Sequence, residues 1–470
     1  MMRLLLALAL SSAALAGCGA RSALVDGVSA VDVPDAATCA PASPAPSSQR
    51  FGDAAWQIGA AIAVDGNGYP ILAGAFSGTL DLGGGAVLQA PGPPAVPLQP
   101  PDLAPSPIGL AGTFFLARLA PADCAPFARA FSPMKHEADS IQIALAADES
   151  ILLAAQYTGD VDFGGGPIAN AALVKFTAAG EHALSERISA GRLALSRPVS
   201  DAQGNIFVAG VFSGSLAIGG ASLGKSPSST SLADAFVAKL DPAGTLVWSK
   251  ILRLGSPWEF ARLAVAAWPT GEIAVAGQFV HDVAVPVDLG AGPETFSPHQ
   301  TGFVTSFDAS GQHRWKSLMY PLTSDARIGP KGDLVITGVW DGFGFPIQRF
   351  DLSGATNPSV TAPAPASIAV QLAVGADDEA IVGAQLYPPV SGLNGVVATS
   401  MAPSGEVLWI HQKSPAEAFA NYRVAIDAGK NGVPMLAGAF TDTLDFGFGP
   451  LTAAGGEDAG SDLFLVSFEP

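Results

Sequence analysis

Charge is scarce in this chain. Asp, Glu, Lys and Arg make up 14% of 470 residues, and 41 acidic residues outnumber 23 basic ones, for a formal net charge of −18. A body this acidic repels phosphate backbones, which argues against nucleic acid as a partner. It also repels anionic bilayers, so membrane association requires an anchor. No segment sustains a helical period, and no stretch after the first twenty residues is long and apolar enough to span a bilayer. Catalytic signatures are missing as well: there is no GxSxG, no GxxxxGK[ST] and no nucleophilic Cys–His pairing. The six histidines (His136, His182, His281, His299, His313 and His411) show no HxxxH-type spacing. No metal, cofactor or catalytic residue is expected, and His313 and His411, in or just after turns, are expected to be solvated.

What is abundant is glycine, 54 residues of it, together with a mean hydropathy of +0.36. That mixture suits many short strands joined by glycine turns. The strands recur in two phrases. One is a hairpin: IAVDGNGYPILAGAF from Ile62, RPVSDAQGNIFVAGVF from Arg197, VAIDAGKNGVPMLAGAF from Val424. The other is a second hairpin: AFVAKLDPAGTLVWSKIL from Ala235, GFVTSFDASGQHRWKSL from Gly302. First hairpins cluster near residues 61–76, 143–157, 195–213, 263–279, 325–340, 368–386 and 424–440. Second hairpins begin near 114, 173, 235, 302, 347, 396 and 463. Turn phrases such as Asp-Pro-Ala-Gly supply positive φ and side-chain-to-backbone bonds.

A unit of four short strands cannot bury its apolar face alone and must stack on its neighbours. The expected fold is all-β: a single closed β-propeller of seven four-stranded blades over residues 47–470. The seventh unit stops at its third strand, near Leu463–Phe468, whereas residues near 47–51 read as a fourth strand with no unit of their own. The N-terminal strand is therefore expected to complete the last blade, which also hides sheet edges. Unit five (QRFDLSGATNPSV) is short, so six blades plus a degenerate one is the alternative count.

DAFVAKLDPAGTLVWSKIL from Asp234, followed by an AVA…GEIAVAGQF hairpin, resembles the SBBP-type β-propeller repeats of bacterial surface and secreted proteins. FSGTLDLGGG from Phe76 is similar to the version carried by lipoproteins of myxobacteria and their relatives. The resemblance covers about residues 47–470 and implies a fold, not an activity, because that family has no shared catalytic motif.

Residues 1–17 read as a signal peptide: Arg3, then LLLALAL, then small residues. Leu15-Ala16-Gly17-Cys18 resembles the lipobox of bacterial lipoproteins, which implies that Cys18 becomes the lipidated N-terminus. Two or three acyl chains, at ~0.8 kcal/mol per buried methylene, make a stable anchor. Gly19 after the cysteine favours the outer membrane in the enterobacterial pattern. Residues 18–46, rich in Ala, Pro and Ser, read as a disordered tether.

Several motifs carry both a functional and a structural reading. Asp81, Asp162, Asp288 and Asp445 recur as Asp-x-Gly between second and third strands; unit three has Ala217 there. Such carboxylates could hold calcium, but one per repeat fits better with bonding to turn N–H groups. Trp248, Trp315 and Trp409 share one position of the fourth strand and are expected to pack between blades. Trp258 and Trp340, at strand ends, are candidates for exposed contacts. Cys39 and Cys124 form an even pair that an exported protein can oxidise. Both precede fourth strands in neighbouring blades whose rims diverge, although the tether gives Cys39 reach; the pairing stays open.

The expected function is that of a non-enzymatic envelope lipoprotein, a monomeric binding scaffold for a protein or polysaccharide that uses the loops between second and third strands on the membrane-distal face. Residues 77–113, 213–234, 280–301 and 441–462 are those loops, with the proline-rich insertion 86–112 at the rim. The alternatives are a lipoprotein assisting outer-membrane protein assembly through strand pairing, and a lyase or hydrolase using the central channel. The apolar inner strands (IAV, IAL, LAV, VAI) argue against the last.

Overall fold

The computed structural model describes residues 46–91, 110–136, 141–226, 232–258, 262–281, 285–296, 300–319, 322–339, 344–362, 367–386, 395–413, 424–441, 443–454 and 461–469. The signal peptide, Cys18, Cys39, His299, Trp340 and most of the insertion 86–112 lie outside them. Among the described residues there is no α-helix.

The chain opens with β1 (Ser47–Phe51) and then runs through repeating antiparallel meanders. The first holds β2 (Gln57–Val64), β3 (Pro70–Phe76), a small hairpin β4 (Thr79–Asp81) and β5 (Val87–Gln89), then β6 (Leu110–Arg118) and β7 (Phe127–His136). The second holds β8 (Ile141–Leu145), β9 (Ile151–Asp162), β10 (Pro167–Phe176) and β11 (His182–Ser189). In the third, the inner strand is split into β12 (Arg192–Leu195) and β13 (Val199–Ser200). It continues with β14 (Ile206–Ser213), the hairpin β15 (Ser215–Ile218) and β16 (Ala221–Lys225), β17 (Leu232–Leu240) and β18 (Leu246–Pro257). The fourth comprises β19 (Arg262–Ala267), β20 (Ile273–Val280), the hairpin β21 (Val285–Asp288) and β22 (Pro293–Phe296), β23 (Gln300–Phe307) and β24 (His313–Met319). The fifth is β25 (Leu322–Ile328), β26 (Leu334–Val339), β27 (Phe345–Phe350) and a stub, β28 (Val360–Ala362). The sixth is β29 (Ser367–Val374), β30 (Ala380–Leu386), β31 (Gly395–Met401) and β32 (Val407–Lys413). The seventh has β33 (Val424–Ala428), β34 (Pro434–Phe440), the hairpin β35 (Thr443–Leu444) and β36 (Leu451–Thr452), and β37 (Asp462–Ser467).

These meanders form a β-propeller. The inner strands touch in cyclic order, β2 to β8, β13, β19, β25, β29, β33 and back to β2. Each apolar core is shared by two consecutive meanders: Phe163 and Phe176 pack with Phe114, for example, and Leu72 packs with Ala437 across the seam. Strand β1 pairs with β37 from Ser47↔Ser467 to Phe51↔Leu463, so the N-terminus completes the last sheet.

The number of sheets departs from expectation. Hydrogen bonding groups the strands into six sheets of four strands or more, plus two separate two-stranded hairpins, rather than seven separate blades. The cause is local: the long β9 reaches past its own meander and pairs with β7 at Lys135↔Thr158, fusing the first and second meanders, with the third meander's hairpin β15–β16 added on β11, into one ten-stranded sheet. The loops between second and third strands also differ from the irregular segments expected. In four meanders they fold into the short hairpins above, and in the second β9 and β10 simply extend.

Candidate functional site

The four Asp-x-Gly phrases turn out to hold those extensions together. Asp81 accepts from Gly83 N at 2.9 Å, Asp162 from Gly164 N at 2.7 Å, Asp288 from Gly290 N at 2.8 Å and Asp445 from Gly447 N at 2.7 Å. Three of the four accept a second bond from the next glycine but one, Gly166, Gly292 or Gly449. Those glycines sit at φ near +100°, where a Cβ would be strained. Among the described residues no three His, Cys, Asp or Glu side chains converge as metal ligands.

The fourth-strand tryptophans join neighbouring meanders. Trp248 donates from Nε1 to Ala309 O at 3.1 Å, and Trp315 to Leu352 O at 3.0 Å while stacking on Phe350. Trp409 stacks on Phe468, its ring centroid 5.2 Å away. Trp258 lies under the Arg192 guanidinium at 4.3 Å. The expectation that His313 and His411 are solvated is corrected. His411 stacks on Phe468 at 4.9 Å, and His313 is half-buried edge-on to Phe307. Burial, reinforced by Lys316, holds the His313 pKa below its ordinary value.

A polar cluster that sequence reasoning missed lies on the ring axis. Arg197 of the third meander donates through Nε to Ile143 O of the second at 2.9 Å, and its guanidinium lies 3.9 Å from Asp427 of the seventh. The third and seventh meanders are not neighbours, so this contact crosses the channel. Asp427 in turn accepts from Val64 N of the first meander at 2.9 Å. Asp325 and Arg327, two apart on one face of β25, form an ion pair, and Asp325 accepts from Leu372 N of the sixth meander at 3.0 Å. Burial, reinforced by Arg327, lowers the Arg197 pKa to about 10, against the opposing pull of Asp427 and Asp325. The channel therefore carries charged side chains and is not lined by apolar strands alone. Its four charges balance and tie six meanders together. The available signal was DARIG, where two opposite charges alternate inside an inner strand.

A second feature sits at the seam, where a groove of about 850 Å³ opens between the last and first meanders. Its walls include Ser47, Leu465 and Met435 on one side and Tyr69, Leu119, Pro121 and Phe127 on the other. Cys124, buried at 6% exposure beneath it, is disulfide-bonded. Its partner lies outside the described residues. Arg118 fixes this corner: Nε donates to Asp65 at 2.6 Å, and Nη1 donates to the carbonyls of Cys124 and Ala125. Tyr69 Oη donates to Cys124 Sγ at 3.4 Å.

No protein-family model and no curated protein matches the chain. Among solved structures, the chain is similar to the Dos1 propeller at 9% identity, covering 90% of this chain and 95% of that one, with a TM-score of 0.44. It is also similar to a protein of unknown function from Bacteroides caccae at 10% identity, covering 64% and 90%, TM-score 0.39. A third is a subtype N10 neuraminidase-like protein of A/little yellow-shouldered bat/Guatemala/060/2010, at 12% identity, covering 71% and 96%, TM-score 0.38. The assignment of the fold rests on the chain's own strand pairing.

Proposed function

We propose that the chain is a non-enzymatic lipoprotein of the cell envelope, related to SBBP-type repeat proteins. It is anchored in the outer membrane through Cys18 and acts as a binding or scaffolding module for a protein or polysaccharide. In this reading the ring counts as seven blades, the fused sheet contributing two. The observation that carries the reading is the polarity of the ring. The tether enters β1 at Ser47, opposite Ser467, at the end where third and fourth strands are joined. The hairpins β4–β5, β15–β16, β21–β22 and β35–β36 all project from the other end. Two of the large apolar side chains that stand out to solvent, Val87 at 50% and Phe448 at 39%, are on these hairpins. An anchor on one face leaves the other free for a partner.

Substituting Val87→Asp and Phe448→Asp tests this without touching the core. In intact cells, chemical cross-linking should lose its partner adduct while circular dichroism stays unchanged. Adduct formation that survives both changes, and is lost instead on mutating the turns at Asp241 and Asp308, assigns the partner to the wrong face here. Cys18→Ser should leave unprocessed precursor or release soluble protein. Retention in the membrane fraction at the wild-type level, with no acyl mass on native Cys18, removes the anchor from the proposal.

A second reading, assistance to outer-membrane protein assembly by strand addition, is favoured by one observation. Strand β32 ends its sheet, with Leu408 52% and Ile410 44% exposed. Lyase or hydrolase chemistry in the channel has less support, because the axial charges are committed to one another.

A further inference from the structure

The fifth meander has the most reduced outer strand of the ring, and that reduction leaves a cavity. Its fourth strand is the stub β28, which pairs with β27 only from Phe345↔Ala362 to Ile347↔Val360. Pro358, just before the stub, has no N–H to extend the ladder. Past Ile347 the pairing gives way to a loop, where Gln348 Nε2 donates to Asn357 O at 2.7 Å. Between this sheet and β24 of the fourth meander lies a cavity of about 260 Å³.

The third and fourth meanders meet their predecessors over apolar side chains: Leu216 and Ile218 of β15, and Val287 and Leu289 at β21, are each 1% exposed. The wall that the fifth meander turns to this cavity includes Thr323 and Thr337 instead, 2% and 1% exposed. The hydroxyl of each is buried and has no hydrogen-bond partner. A buried hydroxyl left unbonded is unfavourable, so two in one wall call for a partner from outside the chain. Gln348 and Ser359 add further polar groups to the lining, and Leu318 and Met319 of β24 give it an apolar side, Leu318 being 48% exposed. No charged side chain lines the cavity.

That chemistry selects among ligands. Phosphate, carboxylate and ammonium groups find no counter-charge here, and a pure hydrocarbon would leave both threonine hydroxyls unbonded. An extended peptide draws its affinity from a strand edge, and the stub β28 offers three residues of one. A sugar meets every condition: it is neutral, its hydroxyls both donate and accept as those of threonine do, and its ring has a C–H face for apolar contact. At ~30 Å³ per water the cavity has the space of roughly nine waters, enough for one sugar ring. Met319, Thr323, Thr337 and Pro346 of the lining stand at or near the strand ends on the face from which the hairpins project. We propose that the cavity is a subsite for one neutral sugar unit of a polysaccharide, bound by Thr323, Thr337 and Gln348 with its C–H face on Leu318 and Met319. This rests on the reading of the chain as a binding module and narrows its partner to a neutral glycan.

The test is a titration of the purified full-length chain with glucose, galactose, mannose and N-acetylglucosamine, each alone, followed through the Met319 methyl resonance. At least one of the four should shift it saturably at millimolar concentration. Thr323→Val with Thr337→Val removes both hydroxyls and keeps the side-chain shape; it should weaken that sugar at least tenfold. Since neither hydroxyl has a partner within the chain, the pair should melt no lower than the parent. Ser359→Trp, at an exposed position of the lining, should block the same sugar with the melting temperature unchanged. The proposal is overturned if none of the four sugars moves the resonance, or if the valine pair binds as the parent does. It is equally overturned if the valine pair melts lower, or if a Val-Thr alternating peptide produces the shift and no sugar does. Sugar binding is read on the purified chain and partner capture in intact cells, so failure of the subsite is seen apart from failure of the hairpin face.

Discussion

The two sides of the ring treat their outer strands differently. In the first three meanders the fourth strand is covered by an element of the following meander: β7 by β9, β11 by β15, and β18 by β21. From the fourth meander onward, β24, β28, β32 and β1 each end their sheet, with no further strand partner among the described residues. The cause is in the sequence after each second strand. Leu216 and Ile218 in β15, and Val287 and Leu289 at β21, are apolar and almost fully buried, so these hairpins fold down onto the preceding meander. Among the described residues the fifth meander has no hairpin between β26 and β27 to pair with β24. The first meander's hairpin turns Leu80 and Leu82 into the seam core rather than pairing with β1. One side is thus joined by strand pairing between sheets, and the other without it, by contacts such as Trp315 on Phe350, the Arg349–Asp378 ion pair and the single backbone bond from Gln57 N to Ser461 O. An uncovered edge is a site of unwanted pairing unless charge protects it. Strand β24 carries Arg314 and Lys316, paired with Glu272 and Glu294. Strand β32 instead shows Leu408 and Ile410 to solvent, which makes it the least protected edge.

Deleting residues 47–56 should have the largest effect, because it strips the one uncovered edge that also closes the ring. It removes the buried Phe51 and the Arg50 partner of Asp462, whose side chain is 1% exposed and whose pKa burial already pushes up. An unpaired buried carboxylate costs about 3–5 kcal/mol, and losing the burial of a phenylalanine side chain about 1.5–3 kcal/mol. Together these approach the total stability of an ordinary domain, about 5–15 kcal/mol. Urea unfolding should lose its single cooperative transition. A truncated chain that unfolds at the full-length midpoint shows that the seam contributes nothing to closure.

Arg197→Ala comes next, since it acts on both sides of the ring at once. It leaves Asp427 without its cation across the axis, and the expected loss is about 3–5 kcal/mol by urea unfolding. A change below about 1 kcal/mol would mean that the axial charges are solvated. Replacing Arg197 and Asp427 together by Met and Leu should recover most of the loss.

The contrast between edges is sharpened by a matched pair. Leu216→Ala, in a cap that is part of a core, should cost about 2–5 kcal/mol. Leu408→Ala, on the uncovered β32, should stay within about 0.5 kcal/mol. Equal costs would erase the distinction. Light scattering of Leu408→Lys with Ile410→Lys should show less self-association at high concentration than the parent chain.

Much of this ring could be read from the chain. The repeated hairpins, the missing last strand and the spare first one led to β1 beside β37, since strand alternation and glycine turns are local signals. What escaped was set by neighbours. Whether a second strand stops at its turn or runs on to pair elsewhere depends on the next meander's edge, so the fusion through Thr158 left no local trace. Arg197 sits in a phrase, RPVSD, that reads as the start of a hairpin, and only closure of the ring brings it to Asp427. His411 reads as a residue after a turn, yet the following meander supplies Phe468 to cover it.

The smallest effect belongs to the uncovered side. His313, on β24, faces Phe307 within its own sheet, with Lys316 on the same strand and Asp288 and Glu294 on the hairpin β21–β22. Burial and Lys316 depress its pKa, and the two carboxylates only partly offset them. In the unfolded chain the imidazole titrates near its ordinary value of about 6.5. Below that pH the unfolded state therefore binds more protons than the folded one, and stability falls as pH drops until the folded pKa is passed. Above about pH 7 His313 contributes no slope. His313→Gln, which cannot titrate, should flatten the fall in unfolding free energy between pH 7 and pH 5 relative to the parent chain. An unchanged or steeper slope would place His313 in water after all. A titration of its ring proton resonances with a midpoint at or above 6.5 would do the same, and β24 would then be an edge with no buried face at that position.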